Sequence, residues 1–268
     1  MRLFSRDPVV PVVPLRGPIG IGAPFRQALG LAEIDRALSR AFAMRRAPAV
    51  ALAVNSPGGA PVQAHLIHRR IRGLAERHGR PVLAFVEDAA ASGGYWLACA
   101  GDEIFADPAS LVGSIGVTSQ GFGFVGLIER LGIERRVHTS GENKDFLDPF
   151  QAEKPEDVTH LERIQREVHA HFADLVRARR GAKLSGDPEI FSGQVWTGTA
   201  ATELGLVDGI GALHDVLRAR FGEKTSIQTI EPRGGSLLRR LFARPASAAA
   251  EGALGAVEER LLWGRLGL

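Results

Sequence analysis

The sequence predicts an α/β protein with a mostly parallel sheet built from βαβ units. Between Val9 and Ala98, three apolar runs of strand length alternate with three segments whose apolar residues recur at the helical period. That alternation places successive strands in one parallel sheet, joined by right-handed crossovers. Glycine-rich stretches follow the second and third runs, at the carboxyl ends of strands, where open α/β sheets bind their ligands.

The composition is that of a soluble globular protein. Of 268 residues, 45% are hydrophobic and 24% are charged, with a net charge of +3, so a sizeable core can form. No stretch reaches the roughly 18 uncharged apolar residues of a membrane span, and no apolar signal segment follows Met1–Asp7. Basic residues form no patch interleaved with aromatic residues before residue 233. We therefore expect a cytoplasmic protein that binds no nucleic acid.

The first elements alternate as the fold class requires. The β-branched run Val9–Leu15 contains Pro11 and Pro14, which cannot donate to a ladder, so we expect this strand at an edge of the sheet. Leu31–Arg46 has apolar residues at the helical period. Ala49–Val54 is continuously apolar, which is typical of a strand that is buried on both faces.

The next βα units lead to the serine around which the chain is organised. A predicted helix, Val62–His78, precedes a second buried strand, Pro81–Val86, and Ser92 follows at a predicted strand-to-helix turn before Gly93 and Gly94. Two glycines after a hydroxyl let the backbone bend sharply and leave N–H groups for a developing negative charge, as a serine nucleophile needs. An ordinary N-cap serine on a buried helix would explain the same residues.

Beyond this point the sequence predicts shorter elements and a change of composition near the C-terminus. In order, we expect two short apolar runs over Glu103–Ala106 and Leu111–Val117, a helix over Phe124–Leu131, a strand over Ile133–Thr139, helices over Pro155–Arg180 and Ala212–Phe221, and a strand over Ser226–Ile230. Residues 1–232 are predicted to form a single α/β domain. Residues 233–268 form a basic amphipathic tail, which either packs or stays poorly ordered, or else contacts a partner or a membrane surface.

Cysteine and histidine usage argues against a metal site. The single cysteine, Cys99, excludes an internal disulfide and a cysteine-built zinc site, and its apolar helix favours a core position. Six of the eight histidines lie on two predicted helices among charged neighbours, which indicates solvated helix faces. His65 and His68 have metal-ligand spacing, but no carboxylate is spaced to complete a set.

A serine nucleophile needs a base, and the sequence offers two candidates. His138, near the end of a predicted strand, is the plausible triad histidine. Lys144 lies on a glycine-flanked loop in a chain with only four lysines among 33 basic residues. Burial would lower the pKa of a lysine and make it a usable base, whereas the carboxylates of Glu142 and Asp145 would oppose this. The residues alone leave Lys144 either catalytic or solvated.

Five stretches, taken in order, resemble the successive motifs of the SppA/SohB signal peptide peptidase family. They are Asn55-Ser56-Pro57-Gly58-Gly59, Ala91-Ser92-Gly93-Gly94-Tyr95-Trp96, Gly113-Ser114-Ile115-Gly116-Val117, Ser140-Gly141 leading to Lys144-Asp145, and Trp196-Thr197-Gly198 with Gly205-Leu206-Val207-Asp208. The resemblance extends from about Val9 to about Arg220. One such motif would be weak evidence, whereas five in order at compatible spacings are strong evidence.

The resemblance implies a ClpP/crotonase-like α/β fold and a serine peptidase that uses no cofactor and no metal. Matched motif by motif, Ser92 would be the nucleophile, Lys144 the general base, and Ser114 the hydroxyl that hydrogen-bonds the lysine amine. Gly59 and Gly93 would supply oxyanion-hole N–H groups. Short or unfolded peptides, including cleaved signal peptides, would be the substrates, and the protein would be a homo-oligomer.

The chain also differs from the better-known members of that family. They carry an N-terminal membrane anchor, and some have two tandem homologous halves; this sequence shows no anchor and has room for one half. Two other functions are compatible with the sequence. A crotonase-type acyl-CoA hydratase or isomerase would use carboxylates such as Asp88 and Asp102, and a non-catalytic assembly subunit would have no use for Ser92 and Lys144.

Overall fold

The computed structural model describes residues 7–20, 29–141, 143–232 and 260–268. The chain divides into two compact units. The first unit takes in the residues up to Gly116 and those from Phe172 onward, and the second comprises Val117–His171. The predicted tail falls mostly at 233–259, outside the described residues.

The first unit contains an eight-stranded sheet within the described ranges. The strands are β1 (Val9–Arg16), β2 (Val50–Ser56), β3 (Val82–Ala91), β4 (Glu103–Ala106), β5 (Leu111–Gly113), β6 (Val195–Thr197), β7 (Gly209–Ile210) and β8 (Ser226–Thr229). Their order is β6-β5-β3-β2-β1-β8, and β4 pairs with both β3 and β7. The β5–β6 pairing is antiparallel and the other pairings are parallel. The predicted parallel α/β architecture is confirmed.

Helices connect the strands as the alternation predicts. The helices are α1 (Leu31–Phe42), α2 (Pro61–His78), α3 (Gly93–Ala98), α4 (Val125–Arg130), α5 (Pro155–Arg180), α6 (Gly198–Glu203) and α7 (Leu213–Phe221). Gly79 ends α2 in the left-handed conformation, with φ of 59°, and its N–H donates to the Ala75 and Glu76 carbonyls. Such an ending is cheap for glycine because it has no Cβ.

The two central strands are buried on both faces, as their continuous apolar sequence predicts. Alternate residues of β2 enter different clusters: Val50, Leu52 and Val54 join the larger core with α1, α2 and α3. Ala49, Ala51 and Ala53 join a smaller cluster with Leu217 of α7. Burial of apolar surface on both sides stabilises these strands by roughly 25 cal/mol per Å².

The prediction that β1 lies at an edge is wrong, because β1 pairs with β2 on one side and β8 on the other. The Val12 carbonyl accepts from Ile230, so even-numbered residues of β1 face β8 and odd-numbered residues face β2. Pro14 faces β8, but that pairing ends at Val12, and Pro11 faces β2, where pairing begins at Val12. At each proline, the missing N–H therefore faces a neighbouring strand at a position where the two strands are not paired, so no ladder hydrogen bond is lost.

The predicted strand over Ile133–Thr139 is also wrong. In the second unit this segment forms no strand, and every residue in it is exposed. Ile133 and Val137 supply β-forming side chains, but Glu134, Arg135 and Arg136 lie between them and stay solvated. A half-buried strand needs an alternating polar face and a partner strand, and three consecutive charges break the alternation.

Candidate active site

Ser92 lies at the sharp turn between β3 and α3. Its backbone has φ of 51° and ψ of −122°, a conformation that costs a residue with a side chain about 1–3 kcal/mol. Neighbouring groups hold it there. The Ser92 N–H donates to the Gly113 carbonyl at 2.8 Å, and the Ser92 carbonyl accepts from the N–H groups of Tyr95 and Trp96. A strained strand-to-helix turn of this kind presents a serine hydroxyl for nucleophilic attack.

The N-cap explanation of Ser92 is wrong. An N-cap serine lies in extended backbone and accepts a hydrogen bond from an N–H in the first helical turn. Ser92 occupies the N-cap position, but its hydroxyl makes no capping bond and its φ is positive. The side chain is half-buried, so neither helix capping nor core packing accounts for a hydroxyl at this position.

Two glycines from the preceding motif lie directly against the serine turn. A Cβ added to Gly58, whose φ is 105°, would lie 2.8 Å from the Ser92 Cβ and 3.0 Å from the Gly93 nitrogen. A Cβ added to Gly93 would lie 3.4 Å from the Gly59 nitrogen, and one on Gly59 would overlap the Ile19 carbonyl oxygen. The contacts at Gly58 and Gly59, both with positive φ, require glycine.

The backbone nitrogen of Gly59 lies close to Gly93, the residue that follows Ser92. Within the described residues, the N–H of neither glycine donates a hydrogen bond to another protein atom. Buried backbone donors are normally paired, so the available N–H of Gly93, which is buried, is unusual, whereas Gly59 is half-buried. Fixed N–H groups in this arrangement can stabilise the oxyanion that forms when a carbonyl is attacked.

Ser114 lies at the end of the strand next to the serine turn. It follows β5, whose last residue, Gly113, is paired with Ala91 of β3 and accepts the hydrogen bond from Ser92. Ser114 is half-buried, has φ of 51°, and donates its N–H to the Gln194 carbonyl at 2.7 Å. The first unit thus brings Ser92, Gly93, Gly59 and Ser114 together at the carboxyl ends of β2, β3 and β5.

Lys144 belongs to the second unit. It is exposed, in a turn where its N–H donates to the Gly141 carbonyl at 3.4 Å. The Asp145 carboxylate, which the sequence suggested would oppose a catalytic Lys144, instead accepts a 2.8 Å hydrogen bond from Lys154. That bond lowers the pKa of Asp145 and raises the pKa of Lys154. His138 is also in this unit and is exposed.

The helix that begins after Ser92 is anchored firmly at its other end. Arg179 donates to the carbonyls of Cys99 and Gly101, at 2.8 Å each, and Arg72 donates to the Ala100 carbonyl at 3.0 Å. These guanidinium groups satisfy carbonyls that a helix C-terminus leaves without partners. The end of α3 opposite the serine turn is thereby fixed.

Side chains along α3 extend the same support. The Tyr95 hydroxyl donates to the Leu206 carbonyl at 2.7 Å, and the Trp96 ring stacks on Phe172 with centroids 4.7 Å apart. Cys99 is fully buried, and burial raises the pKa of its thiol to about 12. The prediction that Cys99 is a core residue is confirmed.

One histidine differs from its predicted surroundings. His68 is buried rather than on a solvated helix face, and it lies between Ile67 and Ile71 on the inner side of α2. Burial lowers its pKa to about 4, helped by the positive charge of Arg179. Among the described residues, no group of His, Cys, Asp and Glu side chains is arranged to hold a metal ion.

The sequence comparisons identify relatives that are longer than this chain. Residues 75–224 match the family model described as Peptidase family S49, a range that includes Ser92, Ser114 and Lys144. The protein named Na(+)/H(+) antiporter NhaA from Brucella abortus is 51% identical over 279 residues, covering 100% of this chain but 38% of its own. The chain therefore spans about two fifths of that relative's length.

Other relatives carry peptidase names. Serine protease SPPA, chloroplastic, from Arabidopsis thaliana is 34% identical over 166 residues, covering 62% of this chain and 24% of its own. Protease 4 from Haemophilus influenzae is 31% identical over 211 residues, covering 78% and 34%. Both similarities span less than the whole relative, so they support family membership and not the activity of the whole protein.

Solved structures with the same fold are more distant in sequence. A serine-to-alanine mutant of the 1510-N membrane-bound stomatin-specific protease aligns with a TM-score of 0.50 at 15% identity, covering 86% of this chain and 100% of that one. A lysine-to-alanine mutant of that protease, in complex with a substrate peptide, gives a TM-score of 0.50 at 16% identity, covering 88% and 97%. These structures agree with the ClpP/crotonase-like fold that the motifs implied. The chain belongs to peptidase family S49, and its resemblance to the SppA proteins is confirmed.

Proposed function

We propose that this protein is a serine peptidase that hydrolyses short or unfolded peptides, including cleaved signal peptides. The observation that carries the proposal is the strained, non-capping Ser92 turn beside the N–H groups of Gly59 and Gly93, which bond to no other atom in the described part of the chain. Membership of family S49 supports the same chemistry. The substrates and the assembly are part of the proposal, because the chain spans only a fraction of its relatives.

In this mechanism Ser92 is the nucleophile and Lys144 transfers the protons. The Ser92 Oγ attacks the scissile carbonyl carbon while the Lys144 amine takes the hydroxyl proton, and the N–H groups of Gly59 and Gly93 donate to the resulting oxyanion. The C–N bond then breaks, and the lysine ammonium returns the proton to the leaving amine. Water, deprotonated by the same amine, attacks the acyl carbon. The ester bond to the Ser92 Oγ then breaks, the ammonium returns the proton to that oxygen, and the second product leaves as a carboxylic acid. Ser114 hydrogen-bonds the lysine amine and orients it.

The proposed chemistry needs neither a cofactor nor a metal ion. Ser92 and Lys144 act either within one chain or across an interface between two copies. We propose that the protein is a homo-oligomer that acts in the cytoplasm, and that the tail from residue 233 contributes to assembly or to contact with a membrane surface. No helix in the described part of the chain is long and apolar enough to cross a membrane.

Crotonase-type chemistry is not favoured. The two carboxylates considered for it are engaged in the structure: Asp88 accepts a 2.6 Å hydrogen bond from Asn55, and Asp102 accepts from Arg72 at 2.8 Å and from the Val82 N–H at 2.8 Å. Carboxylates tied to the ends of strands in this way hold the sheet together. They are poorly suited to repeated proton transfer, because protonation would break these bonds.

The test is labelling with a fluorophosphonate probe, combined with hydrolysis of a fluorogenic peptide. We expect the wild type to be labelled and active, and Ser92→Ala to lose both properties while keeping its circular dichroism spectrum. Ser110→Ala is the matched control, since Ser110 is a buried serine whose hydroxyl bonds only to backbone groups. It should keep both properties. Wild-type labelling that survives in Ser92→Ala would overturn the proposal.

A further inference from the structure

Ser56, the last residue of β2, makes two hydrogen bonds through a side chain that is fully buried. Its hydroxyl donates to the Gly17 carbonyl at 2.7 Å and accepts from the Gly58 N–H at 3.2 Å. A buried hydroxyl that both donates and accepts is satisfied and fixed in orientation. Ser56 therefore ties the chain after β1 to the loop after β2.

That loop, Pro57–Gly59, is held on its other side by Ile19. The Ile19 N–H donates to the Gly58 carbonyl at 2.8 Å, and the Ala60 N–H donates to the Ile19 carbonyl at 2.8 Å. Three hydrogen bonds thus fix the residues on both sides of Gly59, and the bond from Gly58 to Ser56 is the one made by a side chain. These three hydrogen bonds therefore fix the position of the Gly59 N–H.

Ser56 also contacts the second glycine stretch. A Cβ added to Gly94, two residues after Ser92, would overlap the Ser56 carbonyl oxygen. The start of α3 therefore rests on the backbone of the same residue whose hydroxyl holds the Pro57–Gly59 loop. One buried residue sets the separation between the turn that carries Ser92 and the loop that carries Gly59.

We propose that Ser56 is a positioning residue for the peptidase reaction, whose hydroxyl holds the Gly59 N–H in the place where it can donate to the oxyanion. The inference rests on the proposed function. Oxyanion stabilisation depends on donors that are already in position when charge develops. Loss of the Ser56 hydroxyl frees the Gly58 N–H and lets the Pro57–Gly59 loop move, without removing any group that touches the substrate.

Ser110 again offers a matched control. Its hydroxyl is also buried, accepts from the Asp107 N–H at 3.0 Å and donates to the Glu87 carbonyl at 2.6 Å, and it does not bond to the Pro57–Gly59 loop. The Ser110 hydroxyl also lies 3.3 Å from the Val86 carbonyl. Ser56→Ala and Ser110→Ala thus each delete a buried hydroxyl that both donates to and accepts from the backbone. Each should therefore lower the urea midpoint of unfolding by a comparable amount.

The experiment measures kcat and KM on a peptide substrate, and the affinity of a peptide aldehyde, for wild type, Ser56→Ala and Ser110→Ala. We expect Ser56→Ala to lower kcat by about ten- to a hundredfold with little change in KM, since the donor is displaced and not deleted. Aldehyde affinity should fall in parallel, because its tetrahedral adduct uses the same donors. Ser110→Ala should change neither kcat nor the aldehyde affinity. If Ser56→Ala does not fold, Ser56→Cys, with a weakly bonding thiol of similar size, is judged by the same criteria.

The outcomes separate the two proposals. If the wild type shows no hydrolysis that depends on Ser92, the proposed function fails. If the wild type shows such hydrolysis but the folded Ser56 variant keeps kcat within about twofold, the positioning role of Ser56 is wrong. Equal losses of kcat in the Ser56 and Ser110 variants would also overturn it, because they would reflect general destabilisation.

Discussion

The Ser92 N–H donates a 2.8 Å hydrogen bond to the Gly113 carbonyl, so the turn that carries the candidate nucleophile is fastened to the strand end that carries Ser114. Both serines have φ of 51°, and this single bond links the two strained positions. A strained residue persists only where its surroundings hold it. The geometry of the site thus depends on the pairing of β3 with β5.

Ser92→Gly should make the protein more stable while it abolishes activity. Glycine adopts the φ and ψ of Ser92 without strain, which relieves about 1–3 kcal/mol, and the added flexibility of the unfolded chain offsets about 0.5–1 kcal/mol of that. We expect a net gain of about 1 kcal/mol in the free energy of unfolding, measured by urea denaturation. Ser92→Ala removes the same hydroxyl but keeps the strain, so it should show no such gain. Equal free energies of unfolding for Ser92→Gly and Ser92→Ala would show that the Ser92 backbone is not strained.

Gly58→Ala should inactivate the protein and destabilise it. The added methyl would lie 2.8 Å from the Ser92 Cβ at a φ of 105°, so both the loop and the serine turn must shift. We expect a loss of more than 1 kcal/mol by urea denaturation and loss of fluorophosphonate labelling.

Gly73→Ala is the matched control for that change. Gly73 lies on the exposed side of α2 with nothing within 4 Å of an added Cβ, so alanine should stabilise the helix by up to about 1 kcal/mol. Labelling should be unchanged. If Gly58→Ala is as stable as Gly73→Ala and is still labelled, the proposed close contact between Gly58 and Ser92 does not exist.

The sequence was sufficient to predict the central sheet, because continuous apolar runs and helical periods between Ala49 and Ala98 are local signals. It could not place β1. A proline excludes a strand from the interior only if its missing N–H faces a paired neighbour, and that direction depends on the register with β2 and β8. Register is set by contacts between segments that are distant in the sequence.

The sequence also predicted part of the site. Ser92 and its glycines form a recognisable motif, but the role of Ser56 depends on the Gly17 carbonyl, 39 residues away. The burial of His68 did leave a local signal, since it lies four residues after Ala64 and three before Ile71, both buried. Its charged neighbours Arg69 and Arg70 obscured that pattern.

Lys144→Arg should be as inactive as Lys144→Ala if Lys144 is the general base. A guanidinium group keeps its proton at every accessible pH, so it preserves the charge but cannot accept the proton of Ser92. We expect peptide hydrolysis to fall by at least about a hundredfold in both variants, with the circular dichroism spectrum unchanged.

Lys154→Arg is the control for that pair of variants. Lys154 lies in the same unit and bonds to Asp145, and arginine can keep that ion pair. It should retain activity. Normal turnover in Lys144→Arg, or a loss that appears instead in His138→Ala, would show that the base is a different residue.

His68 should make the protein less stable as the pH falls below about 6.5. Its pKa in the folded state is lowered to about 4, first by burial and then by the charge of Arg179. The nearby Cys99 backbone opposes this shift, and the charges of His65 and Arg72 add smaller contributions that lower the pKa. Between these two values the unfolded chain binds more protons than the folded one, so the free energy of unfolding rises with pH across the window. The stabilisation is complete above about 6.5 and amounts to roughly 3 kcal/mol. Urea denaturation at several pH values between 4 and 7.5 measures this directly. His68→Gln should reduce the loss of stability at low pH. His214→Gln is the control: His214 lies on the exposed side of α7, and this variant should show the same loss as the wild type. A decline that persists unchanged in His68→Gln would show that His68 is not its source.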